Sequence, residues 1–184
     1  MYTGLKLGGK YMTGEFRQKY YDKTEEQKFS LEELQNKCRK QVVIYPYQDT
    51  ETANLEGEQW KPYPYFKDII SQYNPNDGRG KRYHELENLY VSNKGRVKAE
   101  YKDEKEEILG QIDDIEGGYL RLPEYPGFGN VYRLVADTWL ERPTNKDKNI
   151  VHHIDNDGYN NRTENLIWVD NAEHGKIHGF ETGN

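Results

Sequence analysis

Four of the five histidines in this 184-residue chain lie in its last 33 residues: His152, His153, His174 and His178. Imidazole ligates divalent transition metals, and it can also accept a proton near neutral pH. His152 and His153 sit in the β-prone run Ile150-Val-His-His-Ile154. Successive strand residues face opposite sides, so the two cannot share one role in an undistorted strand. His174 and His178 are four apart on a helix expected over about 171–179, which Asp170 can N-cap, and so both project from one face. The helix pair and one strand histidine could hold a metal ion. Three protein ligands leave coordination positions open, as a catalytic site requires. The remaining histidine would then be free to take a proton from water. Either pair alone is common on protein surfaces. Their joint occurrence around a strand-loop-strand that contains Asn165 is much less so.

The elements that must position these side chains can be read from pattern. Residues 150–154 and 165–169 form two short strands joined by the polar loop Asp155 to Glu164, and the helix follows. Asp155 and Asp157 read as loop-forming side chains that could also orient a histidine ligand. Leu166 and Trp168 are expected in the core. Upstream, Val131 to Leu140 has the apolar spacing of a helix that buries one face, with Pro143 after its end. Short strands are expected at 89–92, 95–98, 108–112 and 118–122, and Asn93-Lys-Gly95 suits a tight hairpin between the first two. Asn74-Pro-Asn-Asp-Gly78 is a strong turn signal. Residues 1–58 form a separate segment, with a capping box at Ser30–Glu33, a helix over roughly 31–40 and a strand at 42–45. No function attaches to that segment. His84 reads as a surface residue.

Val151-His-His-Ile-Asp-Asn-Asp-Gly-Tyr-Asn-Asn-Arg-Thr-Glu-Asn-Leu-Ile-Trp-Val169 and the histidine-bearing helix after it resemble the HNH nuclease motif of the phage and intron homing type. Leu89 to Val97, Gly118 to Arg121 and Tyr132 to Ala136 are similar to the module that precedes HNH in such enzymes. Trp60 would start that module, separated from the rest of it by a long insert. The resemblance covers roughly 59–180. It implies an α+β chain in three parts: an unassigned segment 1–58, a β-rich DNA-binding module with one helix at 59–143, and a ββα-metal finger at 144–184. By position, His153 would be the general base that deprotonates the attacking water, and Asn165 would brace the loop that orients it. His152, His174 and His178 would hold one divalent metal ion. Many relatives have Asp or Asn at the place of His152, and Asn at that of His174. Such oxygen ligands suit Mg²⁺ or Mn²⁺, whereas three imidazoles favour Zn²⁺, Ni²⁺ or Co²⁺, so the metal stays open. Tyr132 stands where the family commonly has His and is taken as structural.

The implied activity is metal-dependent hydrolysis of double-stranded DNA by a homing-type or phage nicking enzyme. A monomer would nick, and a homodimer could cut both strands. The alternative is a non-catalytic DNA-binding module with a structural zinc; an RNA nuclease would use the same finger. No helix-turn-helix follows the motif, so either residues 1–58 add contacts or specificity is low.

Composition bounds these readings. Charged residues make up 32% and hydrophobic ones 34%, yet 16 Tyr, 5 Phe and 3 Trp oppose full disorder. Several small cores built around Tyr and Trp are expected in place of one large one. One cysteine, Cys38, excludes an internal disulfide and multi-cysteine zinc sites. No apolar run approaches a membrane span and no signal-peptide core is seen, so a soluble intracellular protein is expected; the resemblance implies the cytoplasm of a bacterial host cell. The net charge of −6 opposes phosphate binding at first sight. The acidity is uneven, however: residues 111–184 carry 13 acidic and 7 basic groups. Within 79–98, six basic residues (Arg79, Lys81, Arg82, Lys94, Arg96, Lys98) stand against two acidic ones. They could be a phosphate-contacting stripe or a solvated strand face. Arg162 could touch phosphate or pair with Glu164.

Overall fold

The computed structural model describes residues 49–113 and 118–178, together with two short strands near the start of the chain, β1 (Lys6–Leu7) and β2 (Lys10–Tyr11). The helix and strand expected at 31–45 lie outside the described residues. The remaining elements mix helix and sheet. β3 (Trp60–Pro62) leads through two short helices, α1 (Phe66–Ile70) and α2 (Gly78–Glu85), into β4 (Leu86–Ser92), β5 (Val97–Tyr101) and β6 (Glu106–Ile108). These four strands form one antiparallel sheet in chain order. β7 (Ile112–Asp113) and β8 (Leu120–Arg121) pair as a separate ribbon. α3 (Val131–Trp139) follows, then β9 (Ile150–His153), β10 (Leu166–Val169) and α4 (Asn171–Ile177).

The turn signal at 74–78 starts a helix. Asp77 caps α2, its Oδ1 accepting from Gly80 N at 2.5 Å. Arg79, Lys81 and Arg82 therefore lie exposed on a helix, while Lys94 sits in the β4–β5 turn. The six basic residues do not form one strand-borne stripe. The strand expected across 108–112 is broken in two: Ile108 pairs with β5 and Ile112 with β8, on either side of Gly110.

Several small cores were expected, and the structure shows one connected core among the described residues. It runs from Tyr63 and Phe66 through the four-stranded sheet to Leu166 and Trp168. The reason is α3. Its apolar face, Val131, Leu134, Val135 and Ala136, is fully buried, and the helix touches β3, β4, β8, β9 and β10. Each such Val or Leu contributes about 1.5–3 kcal/mol on burial. Trp139 Nε1 donates to Val91 O at 3.0 Å, which ties the helix end to the sheet. Trp168 lies beneath two guanidinium groups, those of Arg142 at 4.0 Å and Arg133 at 4.7 Å. The core is continuous across residues 143 and 144.

Arg96 requires a correction. Its place on the basic hairpin suggested a phosphate contact, but it is wholly buried. Its Nε donates to Glu58 Oε1 at 2.9 Å and its Nη2 pairs with Glu58 Oε2. Its Nη1 donates to the carbonyls of Asp49 and Thr52. The guanidinium is spent on pinning segment 49–58 and cannot reach a phosphate. Lys98 pairs with Glu106 at 2.9 Å, so much of its charge is locally balanced. His84 is half-buried and its Nε2 lies 2.8 Å from Tyr73 O, so it is no free surface residue.

Candidate functional site

β9 and β10 form an antiparallel hairpin with Leu166 opposite His153 and Ile167 opposite His152. The alternation of strand side chains then sends His152 and His153 to different surroundings. α4 starts at a full capping box: Asp170 Oδ1 accepts from Glu173 N at 2.7 Å, and Glu173 Oε2 accepts from Asp170 N at 3.0 Å. Lys148 adds an ion pair to Glu173 at 2.6 Å. The helix start is thereby fixed to the loop before β9, which sets the rotation at which His174 and His178 emerge.

His152, His174 and His178 come together. One ring nitrogen from each lies within 4.8 Å of the others, and the ring centroids are 4.6–5.4 Å apart. His152 is buried, His174 half-buried and His178 exposed. Burial, reinforced by the neighbouring imidazoles, holds His152 below the usual histidine range, and burial followed by His174 does the same for His178. Neutral imidazole is the form that binds a metal. Three clustered nitrogen donors at this spacing could hold a divalent ion.

His153 is buried among a different set of neighbours. Its ring packs against a pair of tyrosines that also touch each other at 5.0 Å: Tyr119 stacks on it at 5.8 Å and Tyr132 meets it edge-on at 5.4 Å. Its Nε2 lies 2.8 Å from Asn161 Oδ1. Burial pushes the His153 pKa down, against the smaller upward pull of Asn161 and of the Asp155 and Asp157 charges. All four histidines line one open cavity of about 180 Å³, together with Gly118, Tyr119 and Gly158. Gly158 belongs there for want of space, since a Cβ would sit 2.2 Å from Gly118 O and 2.8 Å from the Tyr119 ring.

Asn165 stitches the loop between the strands. Its Oδ1 accepts from Asp155 N at 3.1 Å, and its Nδ2 donates to Asp155 Oδ1 and Asn160 O, each at 2.8 Å. Burial would raise the Asp155 pKa. The hydrogen bonds from Asn160, the Asp157 N–H and Asn165 outweigh it and hold the carboxyl low. Asp155 is therefore a loop-forming side chain. Arg162 is half-buried beside Asn161 and makes no ion pair with Glu164.

Tyr119 and Asn161 also touch His153, although neither residue signals chemistry in the sequence. Tyr132, expected to be structural, packs edge-on against the candidate base. Asn161, eight residues after His153, could have been found only by asking what the second ring nitrogen bonds.

Comparison with known proteins adds one line of support. Over 93 residues, 48% of this chain, the sequence is 36% identical to a protein of Acanthamoeba polyphaga mimivirus named as an uncharacterized HNH endonuclease. The chain has a distant homologue of that name. The match takes in 22% of the viral protein's length. No family model and no solved structure matches the chain.

Proposed function

We propose that this chain is a metal-dependent DNA endonuclease of the HNH kind, with β9, β10 and α4 as its ββα-metal finger. The observation that carries the reading is the split between adjacent histidines. His152 joins His174 and His178 within 4.8 Å, while His153 stays apart in the same cavity. A structural zinc site has no use for the second group.

A divalent ion held by His152, His174 and His178 would supply Lewis-acid stabilisation of the scissile phosphate and of the 3′ oxygen that leaves. His153 accepts the proton of the water that attacks phosphorus, and its lowered pKa keeps it neutral and able to do so near pH 7. Tyr119 and Tyr132 limit the swing of its ring. Asn165 holds the loop on which the base depends. The side chains that would contact duplex phosphates are exposed Arg79, Lys81 and Arg82 on α2, Lys94 on the hairpin turn and half-buried Arg162. Lys98 could join them only by leaving Glu106.

The substrate is double-stranded DNA. One finger per chain nicks a single strand, and a homodimer would be needed to break both. A homing-type or phage nicking role in the cytoplasm of an infected bacterial host suits the resemblance of the upstream module. Among the described residues no helix is long and apolar enough to cross a membrane.

The test is conversion of supercoiled plasmid to open circle by the purified chain with Zn²⁺, Ni²⁺, Mn²⁺ or Mg²⁺, against an EDTA control. Metal-dependent nicking supports the reading. Tight DNA binding without cleavage under every metal would replace it with a binding module built on a structural zinc.

A further inference from the structure

We propose that Asn161 is the positioning residue for His153, and that the β4–β5 hairpin turn holds Asn161 in place. The inference rests on His153 being the group that takes the proton from water. Asn161 is 3% exposed, and its Oδ1 lies 2.8 Å from His153 Nε2. With the amide oxygen as acceptor, Nε2 carries the ring proton and Nδ1 keeps the lone pair. The amide thus selects which nitrogen can act, and it does so without placing a second charge beside the imidazole.

Two observations set this contact apart from ordinary packing. Asn161 Nδ2 is buried and has no hydrogen-bond partner among the described residues. An unsatisfied buried donor weakens a fold, so stability alone does not explain an amide here. The second is the turn behind it. Gly95 has φ +85°, and a Cβ there would lie 2.9 Å from Asn161 Cβ and 3.0 Å from its carbonyl oxygen. Gln111 Nε2 holds Gly95 O at 2.9 Å, and Thr163 N donates to Asn93 O at 3.1 Å. Asn161 is wedged between the hairpin and the imidazole, and the module upstream becomes the back wall of the site.

The experiment is long-range ¹H–¹⁵N correlation of the histidine rings in the full chain at pH 8, with His153 assigned by its loss in His153→Ala. It is paired with plasmid nicking for wild type, Asn161→Leu and Asn161→Asp. Wild-type His153 is expected as the Nε2–H form. Asn161→Leu should lose that preference and nick about 10- to 100-fold more slowly, the range known for groups that orient site residues. Asn161→Asp, which still accepts from Nε2–H, should keep the tautomer and recover part of the rate. A wild-type Nδ1–H form overturns the proposal even if a variant fails to fold. So does Asn161→Leu with unchanged tautomer and nicking. If His153→Ala nicks as wild type does, the assignment of the base fails, while the ring spectrum still judges Asn161.

Discussion

His152 and His153 are consecutive residues that serve different neighbourhoods. The first faces His174 and His178, with ring centroids 5.4 and 5.1 Å away, and the second faces Tyr119, Tyr132 and Asn161. A two-residue repeat of side-chain direction is enough to give adjacent imidazoles different partners, and under the proposed function it separates metal binding from proton transfer.

Metal binding should therefore depend on three histidines and not on the fourth. His174→Ala and His178→Ala should each weaken binding of Zn²⁺ or Ni²⁺ by more than about 100-fold, since losing a ligand exceeds the 10- to 100-fold cost of losing an outer partner. Isothermal titration calorimetry reads this. Equal affinity in wild type and either variant would remove that histidine from the ligand set.

Asn165 makes three hydrogen bonds inside the loop that precedes β10. At about 0.5–1.5 kcal/mol each, Asn165→Ala should lose about 2–4 kcal/mol. Urea unfolding would show it, and nicking should fall with it. A variant as stable as wild type would mean that the loop is held by other contacts.

Glu58 and Arg96 form a buried pair that fastens segment 49–58 to the sheet. Burial alone would raise the Glu58 pKa; the hydrogen bonds from Arg96, the Leu55 N–H and Ser92 outweigh it, and the carboxyl stays below its ordinary 4.5. A carboxyl lowered on folding contributes stability above its unfolded value, and that stability is lost as pH falls through the folded value. Glu58→Gln should cost about 3–5 kcal/mol at pH 7, because it strands the guanidinium, with the gap to wild type narrowing below pH 4.5. Denaturant melts at pH 7 and pH 3 decide, and a gap that widens in acid would contradict this.

Because α3 joins the sheet to the β9–β10 hairpin, both should unfold together. Leu134→Ala should lower stability by about 2–5 kcal/mol and leave a single cooperative transition. Near-ultraviolet circular dichroism and calorimetry should give one midpoint, and two separate midpoints would argue for independent units.

Much of this was visible in sequence because it is local. The capped α4, the apolar face of α3, the Asn93–Gly95 hairpin and the opposed directions of His152 and His153 each follow from short-range spacing. Other features depend on partners far along the chain. Arg96 looked like a DNA contact because nothing near it in sequence announces Glu58, 38 residues away. Arg79, Lys81 and Arg82 were grouped with strand residues, since the Asp77 cap that makes them helical was read only as a turn. The connected core of the described residues is not legible locally, because small apolar runs look independent until α3 is packed against all of them. Asn161 gave no chemical signal of its own, and its meaning comes from the ring nitrogen that it meets.

The most direct measurement is metal content, folding and plasmid nicking for His153→Ala beside wild type. The expected result is one divalent ion per chain in both, unchanged circular dichroism, and nicking abolished in the variant. A variant that loses its metal would make His153 a fourth ligand, and one that nicks at the wild-type rate would end its role as the base.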